Sequence, residues 1–129
     1  MKKSIVIAAL AATIATPVCF ADVNEDLQNI CTIVKNNDKG ELRKKVRAIQ
    51  DDYKLRVGDI YPGISCGGSS LIRYSMQNNA TDVGVFIIKK MSKKDLGNAE
   101  ADGQTIQQWA EANGFIGTEI GKELLDRIS

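Results

Sequence analysis

Three cysteines and no histidine set the chemical range of this 129-residue sequence. Without histidine there is no His-based general acid–base catalysis and no Ser-His or Cys-His nucleophile pair. Most zinc sites are excluded for the same reason. Neither a phosphate-binding loop nor a calcium-loop signature occurs. Glu119 and Glu123 stand one helical turn apart, but such pairs are ordinary solvated surface. The sequence therefore implies neither an enzyme nor a cofactor, and a carboxylate-based enzyme would need a deep pocket with converging acids. The cysteines carry what chemistry remains.

Cys19 lies in a segment that reads as a cleaved secretory signal, residues 1–21. Lys2-Lys3 forms a basic start, Ile5 to Ile14 a short apolar run, and Cys19-Phe20-Ala21 a cleavage site. The run is too short for a membrane anchor, and no later segment is long and apolar enough to span a bilayer. The expected location is periplasmic or secreted. Loss of Lys2 and Lys3 removes the slight basic excess of 17 over 16 charges, which argues against general nucleic-acid binding. The remainder, residues 22–129, is enough for one domain with a modest core.

Cys31 and Cys66 then remain, and two cysteines in an exported chain most simply form a disulfide. The bridge would close a loop of about 36 residues and stabilise the fold by about 3–4 kcal/mol in the chain-entropy model. The alternative is a redox-active pair, as in a thiol-redox or envelope-stress protein. That usually wants a Cys-x-x-Cys spacing or a positively charged setting, and neither is evident.

The elements around these residues are helical. Leu27, Ile30, Cys31 and Val34 recur at helix spacing, with Asn24 as cap and Glu25 and Asp26 in the first turn. Asn36-Asn37-Asp38 turns the chain, and Leu42, Val46 and Ile49 mark a second helix. Its other face carries Arg43, Lys44, Lys45 and Arg47, which read as a solvated face flanked by Glu41, Asp51 and Asp52. Leu71, Ile72, Ser75 and Met76 make a short third helix capped by Ser69 or Ser70. After Asn78-Asn79, Val83, Phe86, Ile87 and Met91 make a fourth. Thr105 caps a run with Ile106, Trp109 and Ala110; Phe115 to Gly117 lengthens the next turn. Ile120, Leu124, Leu125 and Ile128 form the last apolar face, and Gly121 within it marks close packing.

Two of these stretches resemble the ankyrin repeat. In GGSSLIRYSMQNNATDVGVFIIKKM, Gly68 stands at the opening glycine, Ser70 at the threonine, Ile72 at the leucine and Asn79 at the turn glycine. Leu71 and Arg73 replace the family's proline and histidine. DGQTIQQWAEANG repeats the opening at Asp102, the alanine at Ala110 and the turn at Asn113-Gly114. The resemblance implies an all-α, ankyrin-like stack of about three helix–turn–helix units, over residues 25–52, 68–91 and 103–128, with protruding loops between them. VKNNDKGELRKKV looks like a capping unit. The segment from Leu27 to Met91, above all IYPGISCGGSSLIRYSM and VGVFIIKKM, also resembles a family of small exported bacterial proteins known only as a domain of unknown function. That resemblance implies an extracytoplasmic place and assigns no functional residue.

The expected function is non-enzymatic: a protein-binding or scaffold module of the bacterial envelope, inhibitor- or immunity-like by analogy of size. Its partner would be an envelope or secreted protein. Leu55 and Val57 alternate with charged residues and Tyr61-Pro62-Gly63 reads as a turn, so Asp51 to Gly67 is expected to protrude as a loop. Ser92 to Asp102 is expected to be a joining hairpin. The candidate partner-binding residues are Tyr53, Arg56, Tyr61, Arg73 and Tyr74, since Tyr and Arg are enriched at interfaces. Tyr74 and Trp109 occupy equivalent places and could stack as core or line a binding face. An apolar end face would make a weak homodimer the alternative use of the stack.

Overall fold

The computed structural model describes Leu27 and residues 29–129. The signal over 1–21, the Asn24 cap and its acidic first turn lie outside the described residues. Eight α-helices and no strand are present among the described residues: α1 Ile30–Lys35, α2 Lys39–Tyr53, α3 Val57–Ile60, α4 Leu71–Gln77, α5 Thr81–Lys89, α6 Lys93–Leu96, α7 Ile106–Asn113 and α8 Glu119–Ile128. The fold is all-α. No helix among the described residues is long and apolar enough to cross a membrane.

Three helical pairs are closed by the same turn. Asp38 N–H donates to Ile33 O at 3.0 Å, Ala80 N–H to Ser75 O at 2.8 Å, and Phe115 N–H to Ala110 O at 2.8 Å. Each bond spans the residue that turns the chain left-handed, and those residues are Asn37 (φ 56°), Asn79 (φ 54°) and Gly114 (φ 80°). Asn and Gly are the residues that adopt this conformation at least cost, which is why they close helices.

The pairs lie side by side. α1 packs on α4 and α4 on α7, while α2 packs on α5 and α5 on α8. The molecule is therefore two rows of three helices, with the core between them. Its fully buried members include Val34, Leu42, Ile49, Ile72, Ile87, Ile88, Ile106, Ile120 and Leu124. α5 is central, and Val83, Phe86, Ile87 and Ile88 on it are all buried. Burying such side chains contributes about 1.5–3 kcal/mol each relative to exposure, and this packing supports helices too short to persist alone. Within the second row α5 and α8 approach closely at Gly84, where a Cβ would stand 2.6 Å from Ile120 Cδ1. Neighbouring pairs are also hydrogen-bonded: Asn37 Oδ1 accepts from Val83 N–H at 3.0 Å. On α8, Leu125 departs from the expected apolar face and is 36% exposed.

The connectors differ from expectation. Asp51 to Gly67 does not protrude. Lys54 turns left-handed (φ 60°) to end α2, and α3 begins three residues later. It places Val57, Ile60 and Tyr61 in the core, followed by a 3-10 turn over Tyr61–Gly63. The Leu55/Val57 alternation is thus a helix junction rather than strand-like. Ser92 to Asp102 is likewise no hairpin. Ser92 caps α6, accepting from Asp95 N–H at 3.0 Å, and the chain then turns back so that Glu100 N–H donates to Gln104 O at 2.9 Å.

Cys31 and Cys66 form a disulfide with Cα atoms 5.6 Å apart. It ties α1 to the segment entering α4, with Cys66 buried and Cys31 half-buried.

Candidate functional site

α4 carries an arginine where its sequence is otherwise apolar. Leu71, Ile72, Ser75 and Met76 are buried as the spacing requires, and Arg73 is buried with them at 8% exposure. A buried guanidinium is costly unless paired and hydrogen-bonded. The loop between α6 and α7 supplies the partners. Arg73 Nη1 donates to Asp102 Oδ2 at 2.7 Å and Nη2 to Asp102 Oδ1 at 2.9 Å, a planar two-bond fork. Nη2 also donates to Gln104 O at 3.2 Å. Nε lies 2.6 Å from Glu100 Oε1. That contact is ionic: the N–H is not aimed at the oxygen, leaving Nε the one buried side-chain N or O without a hydrogen bond among the described residues.

Glu100 is the second centre of the cluster. Its Oε2 accepts from the Tyr61 hydroxyl at 2.7 Å, and its Oε1 from the Ser70 hydroxyl at 3.0 Å. Ser70 occupies the cap position of α4 yet makes no side-chain cap bond; its hydroxyl serves Glu100 instead. The loop is shaped for this. Gly103 (φ 86°) lets Gly103 N–H donate to Glu100 O at 2.8 Å, and Gln104 N–H donates to Asp102 Oδ1 at 3.0 Å. One tight turn thereby aims both carboxylates at Arg73.

The electrostatics follow from these contacts. Hydrogen bonding to Arg73 lowers the Asp102 carboxyl from 3.8 to about 2. The same bonds from Asp102 raise Arg73 further above its ordinary value. Burial, and then the Glu100 charge, push the Tyr61 hydroxyl well above its ordinary value of 10.0. Tyr61 is therefore a neutral donor, with no capacity to serve as base or nucleophile near neutral pH.

Trp109 forms the base of the cluster. The Arg73 guanidinium carbon lies 5.1 Å from its ring centre. The ring stacks on Phe115, centroids 5.3 Å apart and planes 16° from parallel. The stacking partner of Trp109 is thus Phe115 and not Tyr74. Trp109 is half-buried against the core.

Beside the cluster opens a cleft of about 510 Å³ between the α3 connector and the loop after α6. Tyr61, Pro62, Ile64 and Met91 give it apolar walls; its charged lining is Arg73, Asp95, Glu100 and Asp102. Gly58 faces Asp95 so closely that a side chain there would collide with the carboxylate.

The five candidate binding residues are thus separated. Tyr61 and Arg73 are buried and belong to one cluster. Tyr53 ends α2 and Tyr74 follows Arg73 on α4, both half-buried, and Arg56 is exposed at the cap of α3. Glu100, Asp102 and Trp109 were not anticipated as partners of Arg73, nor Ser70 as a partner of Glu100. An arginine between buried positions is the one sequence signal that demands a nearby carboxylate, and it does not say which.

The family model described as protein of unknown function DUF3718 matches residues 30–98. The chain belongs to the DUF3718 family. The DUF3718 match runs from α1 through α6 and includes Cys31, Tyr61, Cys66, Ser70 and Arg73. It ends before Glu100 and Asp102, so the ion-pair cluster joins the matched region to the third helical pair. No curated protein and no solved structure matches the chain. No group of three or more His, Cys, Asp or Glu that could hold a metal occurs among the described residues.

Proposed function

We propose that this DUF3718 protein is a non-enzymatic, exported binding module, an ankyrin-like stack of three helical pairs, whose cleft accepts a basic side chain of a partner protein. The lining of the cleft carries this reading: three carboxylates stand against one guanidinium, between apolar walls from Tyr61, Pro62, Ile64 and Met91. A lysine or arginine stem would pack along those walls and bring its cation to Asp95 and Glu100. The ankyrin-like assignment draws on the repeated turns at Asn37, Asn79 and Gly114 and on the two parallel rows of helices. Export draws on the signal-like sequence at the N-terminus. The Cys31–Cys66 disulfide is compatible with an oxidising compartment. A non-enzymatic role accords with the absence of histidine and with the engagement of Glu100 and Asp102 by Arg73.

Trp109 is the sole tryptophan and lies under Arg73, which gives the test a reporter. Short lysine- or arginine-bearing peptides, and glutamate-bearing controls, are titrated while Trp109 fluorescence is followed. Saturable change with basic peptides only, weakened by Asp95→Asn, is the expected result. Preference for the acidic peptides, or no response to either, overturns the reading.

A further inference from the structure

A second feature lies on the other row of helices. Two basic clusters far apart in sequence are brought together there. Arg43 on α2 and Lys90 after α5 both sit over the Phe86 ring, 5.9 and 5.6 Å from its centre. The helices run parallel: Asn37 meets Val83 and, further along both, Arg43 meets Phe86. Arg47 follows Arg43 by one helical turn on α2. Lys89 adjoins Lys90 at the end of α5, and Lys93 and Lys94 open α6.

These side chains are exposed, as is Lys44. Among the described residues the only ion pairs are those of Arg73, so the flanking acids Glu41, Asp51 and Asp52 do not neutralise the ridge by direct pairing. Two further acids are turned elsewhere. Asp82 accepts from Asn37 Nδ2 at 3.4 Å, and Asp95 lines the cleft. Placing like charges over one ring opposes folding and is tolerated where solvent or a counter-charge screens them. The cations are predominantly lysines, point charges that recognise diffuse negative charge rather than one planar group. No large apolar side chain beside them is exposed, since Phe86 itself is buried.

We infer that this ridge, from Arg43 and Arg47 across Lys90 to Lys93 and Lys94, docks the protein on an anionic phospholipid surface by electrostatic contact without insertion. None of these basic side chains lines the cleft. Exposed basic side chains whose one neighbouring ring, Phe86, is buried fit an array of phosphates better than they fit stacked bases. Juxtaposed basic side chains of this kind bind anionic bilayers in a salt-sensitive way.

The test is co-sedimentation of the protein with vesicles of phosphatidylcholine alone and of phosphatidylcholine mixed with phosphatidylglycerol, at low and high salt. Retention only on the anionic vesicles, reversed by salt, is expected. Each of Arg47→Gln, Lys93→Gln and Lys94→Gln lowers partition about fivefold, and none of them removes a ring contact, so the fold is retained and checked by circular dichroism. Equal retention on both vesicles, or full retention by the triple variant, overturns the inference. So does capture by an acidic polysaccharide with none by vesicles, which would assign the ridge to a different polymer. Inorganic phosphate at matched ionic strength separates the remaining source: release by phosphate alone would mean a discrete phosphate site and not a bilayer.

Discussion

Arg73 and Asp102 are joined by two parallel hydrogen bonds of 2.7 and 2.9 Å, yet the two ends of this fork sit in different environments. The Arg73 side chain is 10% exposed and that of Asp102 44% exposed. Glu100, 13% exposed on its side chain and 2.6 Å from Nε, is the partner that shares Arg73's burial. Removing Arg73 therefore strands Glu100 rather than Asp102. Arg73→Ala is expected to cost about 3 kcal/mol or more, the usual consequence of leaving one member of a buried pair uncompensated. Arg73→Met combined with Glu100→Leu should recover much of that loss. Urea unfolding of the two variants measures the difference, and equal destabilisation by both would remove Glu100 as the cause.

The exposed end of the fork governs acid behaviour. Asp102 titrates near 3.8 when unfolded and at about 2 when folded, because Arg73 donates two hydrogen bonds to its charged form. A depressed folded value contributes stability that is present above the unfolded value and lost as pH falls through the folded one. Stability should thus decline between about pH 4 and pH 2 in a component that Asp102→Asn abolishes. Thermal melts of native and Asp102→Asn protein across that window give the comparison. Parallel curves would show that the fork adds nothing to acid stability.

Tyr61 works in the opposite pH direction. Burial and the Glu100 charge raise its folded value above 10.0, so its contribution is complete below pH 10 and is lost as pH rises beyond it. Tyr61→Phe should flatten the alkaline fall in stability. At neutral pH it should cost about 1.5–3 kcal/mol, the range for a hydrogen bond to a charged acceptor. An alkaline titration of melting temperature reads both effects. An unchanged alkaline limb in Tyr61→Phe would place the responsible group elsewhere.

The three helical pairs were legible in the sequence because two independent signals coincide. Apolar spacing marks Leu42, Val46 and Ile49, or Val83, Phe86 and Ile87, and an Asn or Gly able to turn left-handed follows the first helix of each pair. The connectors were not legible. Val57 and Ile60 enter the core through a helix only four residues long, too short for a periodicity to register, and Leu55 imitates strand alternation. The cluster around Arg73 was hidden for another reason. Its acids come from a loop 27 to 29 positions away, and Ser70 reads as a helix cap when its hydroxyl is in fact committed to Glu100. Pair interactions across a fold have no local sequence pattern, so only the isolated arginine gave notice. Gly121 is the counter-example, where a lone glycine in an apolar helix did mark close packing.

The Cys31–Cys66 bridge closes a loop with a sequence separation of 35. Its removal should cost about 3–4 kcal/mol in the chain-entropy model. Cys66 is 3% exposed, which limits approach of an attacking thiolate to that sulfur. A structural bridge should therefore resist a mild dithiol under native conditions and yield once denaturant is added. Thiol labelling with and without denaturant, alongside Cys31→Ser/Cys66→Ser unfolding, separates this from redox use. Rapid reduction of the folded protein with little loss of stability would instead revive the thiol-redox reading.

Two glycines in the second row of helices provide a graded test of how tightly α8 is seated. At Gly121 a Cβ would collide with the carbonyl oxygens of Phe115 and Ile116, which belong to the backbone of the preceding turn. At Gly84 it would meet Ile120 Cδ1 at 2.6 Å and Cγ1 at 2.9 Å, atoms of a side chain that can change rotamer. Backbone that is fixed by Thr118 N–H donating to Phe115 O at 3.1 Å has no comparable freedom. Gly121→Ala should consequently be the more damaging substitution, near the upper part of the 1–3 kcal/mol typical of overpacking, with Gly84→Ala at about the lower end. Gly84→Ala combined with Ile120→Val should regain stability, since the smaller side chain makes room for the added methyl. No reduction of the core can rescue Gly121→Ala, because the obstacle there is main chain. Rescue of neither or of both would show that the approach of α5 to α8 is not set by Ile120.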